Sequence, residues 1–224
     1  MHSDMINSIA ARKERIMAEK PVGIPVEGGK VSLEALFQEG RIGRNAVLCH
    51  PHPLFGGNMH NNVVQSARQV FASLGWSTLR FNFRGAGAGG GSPAQGQKDA
   101  EDLFDVCEYL KADSPGHIDF AAYSYGAWVA MEAIRKGLSP DSLILVSPPL
   151  DFISFDGLKL PEVPVLITVG NQDEFCSLES LRKWLAGQPA SPVNLEILAY
   201  GDHFYWGIER ELSERINAFL KRNF

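Results

Sequence analysis

Beyond Gly43 the chain repeats a pattern that few folds accommodate. Short apolar runs recur at Ala46-Val47-Leu48-Cys49, Thr78-Leu79-Arg80-Phe81, Ile118-Asp119-Phe120-Ala121, Leu143-Ile144-Leu145-Val146, Val165 to Val169 and Leu195 to Leu198. Longer stretches with apolar residues at helical spacing lie among them. Val63, Val64, Ala67, Val70, Phe71 and Leu74 form one stripe, stopped by Gly75. Leu103, Phe104, Cys107 and Leu110 form a second; Ile208, Leu212, Ile216, Phe219 and Leu220 form another near the C-terminus. Strands that alternate with helices need crossover connections, so the expectation is an α/β fold: a mostly parallel central sheet with helices on both faces. Upstream, Val22 to Val26 and Val31 to Phe37 flank Glu27-Gly28-Gly29-Lys30, which reads as an N-terminal antiparallel hairpin. Residues 1–20 read as a polar, helix-prone arm and residues 21–224 as one domain, a size that buries a large core.

Several classes are disfavoured. A formal net charge of −5 argues against a nucleic-acid partner. No apolar run reaches the roughly 18 residues of a membrane span, so no membrane partner is expected. Arg12, Lys13, Glu14 and Arg15 interrupt the only stretch that could serve as a signal-peptide core, and Asp4, Glu14 and Glu19 fit poorly with a transit peptide. Cys49, Cys107 and Cys176 are odd in number and not closely paired, which suggests reduced thiols and a cytoplasmic setting.

In sheets of this kind ligands bind at the carboxyl ends of the strands, so site residues should fall just after apolar runs. Ala122-Tyr123-Ser124-Tyr125-Gly126 meets that test, between the strand Ile118 to Ala122 and a helical stretch from Ala127 to Lys136. It resembles the G-x-S-x-G turn that projects a nucleophilic serine, with Ala122 in the first glycine position. A serine hydroxyl attacks poorly until a base takes its proton, and the base needs a carboxylate to hold its tautomer. His203 is the only histidine after Ser124 and follows the strand Leu195 to Leu198; Asp173 follows Val165 to Val169. The order Ser124, Asp173, His203 is the order such sites use. Glu174 is the rival acid, whereas Asp202 adjoins His203 and points poorly for orienting it.

A developing oxyanion needs two backbone N–H donors. One is expected from Tyr125, at the start of a helix whose positive dipole end faces the site. The other is expected from the loop His50-Pro51-His52-Pro53-Leu54-Phe55-Gly56-Gly57, where the prolines have no N–H. His52 is the first candidate there and Leu54 the second. Phe55, Leu54 and Phe204 are expected to line an apolar substrate pocket. The segment from Ser147 to Pro164 is short for a cap domain, so an open site is expected.

His50 to Met59, together with Arg80-Phe81-Asn82-Phe83-Arg84-Gly85 and Ala122 to Ala127, resembles the HPHPxxGG loop and partner motifs of compact bacterial α/β-hydrolases, a dienelactone-hydrolase-like group. The resemblance spans roughly residues 22 to 224. It implies the α/β-hydrolase fold, without a large cap, and a triad of Ser124, Asp173 and His203. Dienelactone hydrolases proper carry cysteine where this chain has Ser124.

Two other motifs are set aside. Gly85-Ala86-Gly87-Ala88-Gly89-Gly90 satisfies G-x-G-x-x-G, yet Gly91, Ser92 and Pro93 continue a loop where a dinucleotide site needs a helix. It reads as a turn close to the site. His50, His52 and His60 suggest a metal cluster but lack an acid or cysteine to complete it apart from Cys49, which is expected on the opposite face of its strand. No metal or cofactor is therefore expected. His50 is expected to pack beneath its loop. The reading that follows is hydrolysis of an ester, thioester or lactone of a small molecule; a peptidase or amidase on the same machinery and a non-catalytic binding protein are the alternatives.

Overall fold

The computed structural model describes residues 18–92, 96–189 and 193–224. The reading of residues 1–17 as a polar arm lies outside the described residues. Lys20, assigned to the arm by its sequence, already belongs to the first strand.

Among the described residues, eight strands form one sheet: β1 (Lys20–Val26), β2 (Val31–Gln38), β3 (Arg44–Cys49), β4 (Ser77–Phe81), β5 (His117–Tyr123), β6 (Ser142–Val146), β7 (Val165–Gly170) and β8 (Val193–Leu198). Their order is β1-β2-β4-β3-β5-β6-β7-β8. The β1–β2 hairpin is antiparallel, with Val26 opposite Val31, and β2 runs antiparallel to β4. Every other neighbouring pair is parallel.

Among the described residues there are five α-helices: α1 (Asn62–Ser73), α2 (Gln97–Asp113), α3 (Tyr125–Arg135), α4 (Leu178–Ala186) and α5 (Glu209–Asn223). The central strands carry no polar face because helices cover both sides. Ala46, Leu48, Ala121, Tyr123, Ile144 and Val146 pack with α1 and α5. Their strand neighbours Val47, Cys49, Phe120, Ala122, Leu143 and Leu145 pack with α2, α3 and α4 on the opposite face. One residue of pleat thus separates the two cores.

Helix α4 has no counterpart in the sequence expectation. It is nine residues long and only Leu181 is fully buried, yet Leu178, Leu181, Trp184 and Leu185 recur at helical spacing and pack on the core, so its short apolar stripe is present in the sequence. Its start is organised by tertiary contact: the Asp151 carboxylate accepts from the Ser177 N–H at 2.5 Å and from the Ser180 hydroxyl.

The glycine-rich segment after β4 corrects a second expectation. It belongs to the β2 side and not to the site. The N–H of Ala88 donates to the Glu34 carboxylate at 2.8 Å, and that of Gly90 to the Ser32 carbonyl at 3.0 Å. Between β4 and Gln97 no helix opens among the described residues. Among the described residues, no helix is long and apolar enough to cross a membrane.

Candidate active site

Ser124 stands between the last residue of β5 and the first of α3, at φ 53° and ψ −120°. This conformation is sparsely populated by residues with a Cβ and stores strain. It survives because the surroundings over-determine it. The Ser124 N–H donates to the Val146 carbonyl at the end of β6, 2.9 Å away, and α3 leans hard on β3. A Cβ at Gly126 would lie 2.7 Å from the Cys49 carbonyl oxygen, so only glycine fits at the crossing. Ala122, in the other small-residue position, is buried against the helix side of the sheet.

Asp173 and His203 come from the loops after β7 and β8, and a second close approach brings those loops together. A Cβ on Gly170 would lie 2.1 Å from the Gly201 carbonyl oxygen. The Gln172 N–H donates to that same carbonyl at 2.8 Å, and the Asn171 N–H to the Leu198 carbonyl at 3.0 Å. The Asp173 carboxylate accepts from the N–H groups of Phe175 and Cys176 at 2.9 and 3.0 Å. Its oxygens also lie 2.9 and 3.0 Å from His203 Nδ1. A carboxylate can only accept, so Nδ1 carries the proton and Nε2 is left as the acceptor. Nε2 lies 2.8 Å from Ser124 Oγ, whose hydroxyl donates to it. All three residues are buried. Glu174 is exposed, and the Asp202 carboxylate is engaged by the N–H groups of Phe204 and Tyr205. Tyr123 holds the histidine loop from below, its hydroxyl donating to the His203 carbonyl at 2.7 Å. In the sequence Tyr123 stands out only as the residue before the serine.

The backbone N–H groups of His52 and Tyr125 have no partner among the described residues. Their rings pack with centroids 4.4 Å apart, so the two donors sit on touching residues beside Ser124. The Leu54 N–H, in contrast, donates to His52 Nδ1 at 3.2 Å and closes the turn Pro53–Phe55. That bond removes Leu54 as a donor. Leu54 is also 66% exposed and lies outside the cleft, which corrects its assignment to the pocket. Tyr125 is anchored deeper, where its hydroxyl donates to the buried Asp99 carboxylate at 2.6 Å. Burial, partly offset by that bond, pushes the Asp99 pKa up to about 6.

His50 lies buried beneath the loop. Its Nδ1–H donates to the Pro51 carbonyl at 2.6 Å, and Nε2 accepts the Phe83 N–H at 2.9 Å. Burial holds its pKa down to about 4, so the ring is neutral. Burial also lowers the His52 pKa. His60 turns away to Arg80.

A cleft of about 400 Å³ opens over Ser124. Phe55 and Phe204 line it, and so do Pro149, Phe152, Ile153, Phe175 and Asn61, which the sequence reading missed. Phe152 and Ile153 belong to the segment after β6, where the spacing of apolar residues matches neither helix nor strand. A more polar groove of about 480 Å³ lies behind that segment against α4 and contains none of these chemical groups.

No protein-family model matches the chain. Solved structures do. An α/β serine hydrolase homologue from Coxiella burnetii is 30% identical, with 91% of this chain and 98% of that one aligned at a TM-score of 0.82. An α/β serine hydrolase without lid from Xanthomonas campestris is 26% identical over 92% of this chain and 95% of that one, TM-score 0.84. An esterase of Pyrococcus furiosus shares the fold at 19% identity, over 94% of this chain and 93% of that one, TM-score 0.76. With a relative 30% identical over nearly its whole length, and with the sheet order described above, the chain belongs to the α/β-hydrolase superfamily.

Proposed function

We propose that this protein is a serine hydrolase that cleaves carboxylic esters of small molecules through an acyl-enzyme. The observation that carries the reading is the relay from Asp173 through His203 to Ser124, with contacts of 2.9 and 2.8 Å, ending at a strained turn over an apolar cleft. Strain and burial have no structural use at Ser124; they have a chemical one.

In this mechanism His203 Nε2 takes the Ser124 proton as Oγ bonds to the acyl carbon. The carbonyl oxygen becomes an oxyanion held by the N–H groups of Tyr125 and His52. Asp173 stabilises the imidazolium without accepting its proton. His203 then delivers the proton to the alcohol oxygen as the C–O bond breaks. Water attacks the acyl-enzyme with His203 again as base, and the acid departs. Every step uses groups of the chain and water. The motifs from His50 to Met59 support placement in the dienelactone-hydrolase-like group, with serine chemistry in place of cysteine. The Pyrococcus furiosus neighbour is an esterase, which favours esters over amides as the first substrates to try.

A fluorophosphonate probe should label wild type at Ser124, as read by intact mass and peptide mapping. Ser124→Ala should abolish labelling and lower ester turnover by about 10⁴-fold or more. A folded wild type that resists the probe would count against an activated serine and favour a binding protein. A paired panel of esters and amides separates esterase from amidase chemistry.

A further inference from the structure

Building on the esterase reading, we infer that the cleft sorts the two halves of its ester: an apolar acyl group lies along Ile153, Phe152 and Phe55, and a polar alcohol departs past Asn61.

The chemistry assigns the directions. The tetrahedral carbon carries Ser124 Oγ, the oxyanion, the alcohol oxygen and the acyl carbon. The oxyanion must meet the N–H groups of His52 and Tyr125. The alcohol oxygen must come within reach of His203 Nε2, because the nitrogen that takes the serine proton returns it there. One wall serves neither purpose, the segment holding Pro149, Phe152 and Ile153. It is left for the acyl group.

The fold anchors these walls on opposite faces of the sheet, and they meet at Phe175, whose ring lies 4.6 Å from that of His203. Ile153 packs against the core on the side of α2, α3 and α4. The histidine loop is fastened on the opposite side, where Asn62 Nδ2 donates to the Phe204 carbonyl at 2.9 Å at the start of α1. The walls also differ in character. Phe152 lies 6.0 Å from Phe55 and 5.7 Å from Phe175, centroid to centroid, and is 55% exposed, while Phe55 is 74% exposed. This is a continuous apolar rim left open to water beside a reactive group, and an acyl chain would cover it. On the histidine side, Phe175 and the half-exposed Phe204 are apolar too, and Asn61 adds an amide to the cleft lining. Its Oδ1 accepts from the Val63 N–H at 2.9 Å to cap α1. Its Nδ2 has no partner among the described residues and is free to donate to a hydroxylated alcohol.

Two substrate series test the inference below their micelle concentrations. With p-nitrophenyl esters, kcat/KM should rise about three- to fourfold per methylene from acetate to hexanoate. With alkyl acetates, lengthening the alcohol from ethyl to hexyl should change it by less than about tenfold in all, and glyceryl acetate should match or exceed propyl acetate. Phe152→Ala should flatten the acyl slope. Trp206→Ala, exposed and outside the cleft, should leave it as in wild type. Asn61→Asp keeps the capping oxygen and lacks the donor, so it should lower the ratio of glyceryl to propyl acetate by about three- to tenfold. Equal slopes in the two series, or an acyl slope lost equally in Trp206→Ala, would overturn the sorting while leaving the esterase reading intact. Absence of any Ser124-dependent ester turnover would overturn both.

Discussion

Ser124 is where residue-scale physics and function pull against each other. Its φ of 53° would suit glycine, and a residue with a Cβ there costs about 1–3 kcal/mol. Ser124→Gly should therefore raise the urea midpoint while removing activity. Ser124→Ala, with the same backbone constraint, should not share the gain. Unchanged stability in both variants would mean that the turn stores no strain. His50 makes a different residue-scale prediction. Its folded pKa of about 4 lies below the roughly 6.5 of a free imidazole. The ring's contribution to stability is thus complete above pH 6.5 and is lost as pH falls through 4, because the unfolded chain takes up a proton that the buried ring refuses. The stability gap between wild type and His50→Gln should shrink by about 3 kcal/mol between pH 7 and pH 4. A gap independent of pH would show that the unfolded and folded rings titrate alike.

At the scale of elements, the site depends on how closely two loops can approach. Gly170 at the end of β7 touches Gly201 beyond β8, and that contact sets the span across which Asp173 reaches His203. Gly170→Ala should cost about 1–3 kcal/mol by overpacking. It should also lower kcat more than it raises KM, since it moves the acid away from the base and spares the cleft walls. Thermal unfolding and steady-state kinetics on the same preparation would separate the two effects; a change in KM alone would relocate the contact's importance to binding. The strands themselves were readable from sequence to within two residues, because a run of apolar residues in a doubly covered sheet carries its signal in every position. The segment with Phe152 was not readable. Its residues take meaning from the surfaces they meet, such as Asp151 under the start of α4.

At the scale of the molecule, buried ion pairs fasten distant parts of the chain. Arg84, beyond β4, makes a two-pronged contact with Asp102 on α2 at 2.6 and 2.7 Å and reaches Glu27 in the hairpin turn at 2.9 Å. Arg80, inside β4, likewise grips Glu19 through two bonds of 2.7 Å. Arg84→Ala would leave Asp102 buried without its partner and should cost about 3–5 kcal/mol by urea unfolding. Replacing both members, as Arg84→Met with Asp102→Leu, should recover much of that loss. A single variant as stable as wild type would show that solvent reaches Asp102 readily.

The alternation of strands and helices, the antiparallel start, and the positions of Ser124, Asp173 and His203 just past their strands are all legible along the chain. These are local matters: periodicity, turn chemistry and the order of residues along the chain express themselves within a few positions. Packing between remote segments settles that Leu54 lies outside the cleft, that the glycine-rich loop docks on β2, and that Phe152, Ile153, Phe175 and Asn61 form the walls. A wall exists only between segments remote in sequence. Which face of a loop meets the cleft is settled by packing and hydrogen-bond satisfaction across the whole fold, and no local pattern encodes it.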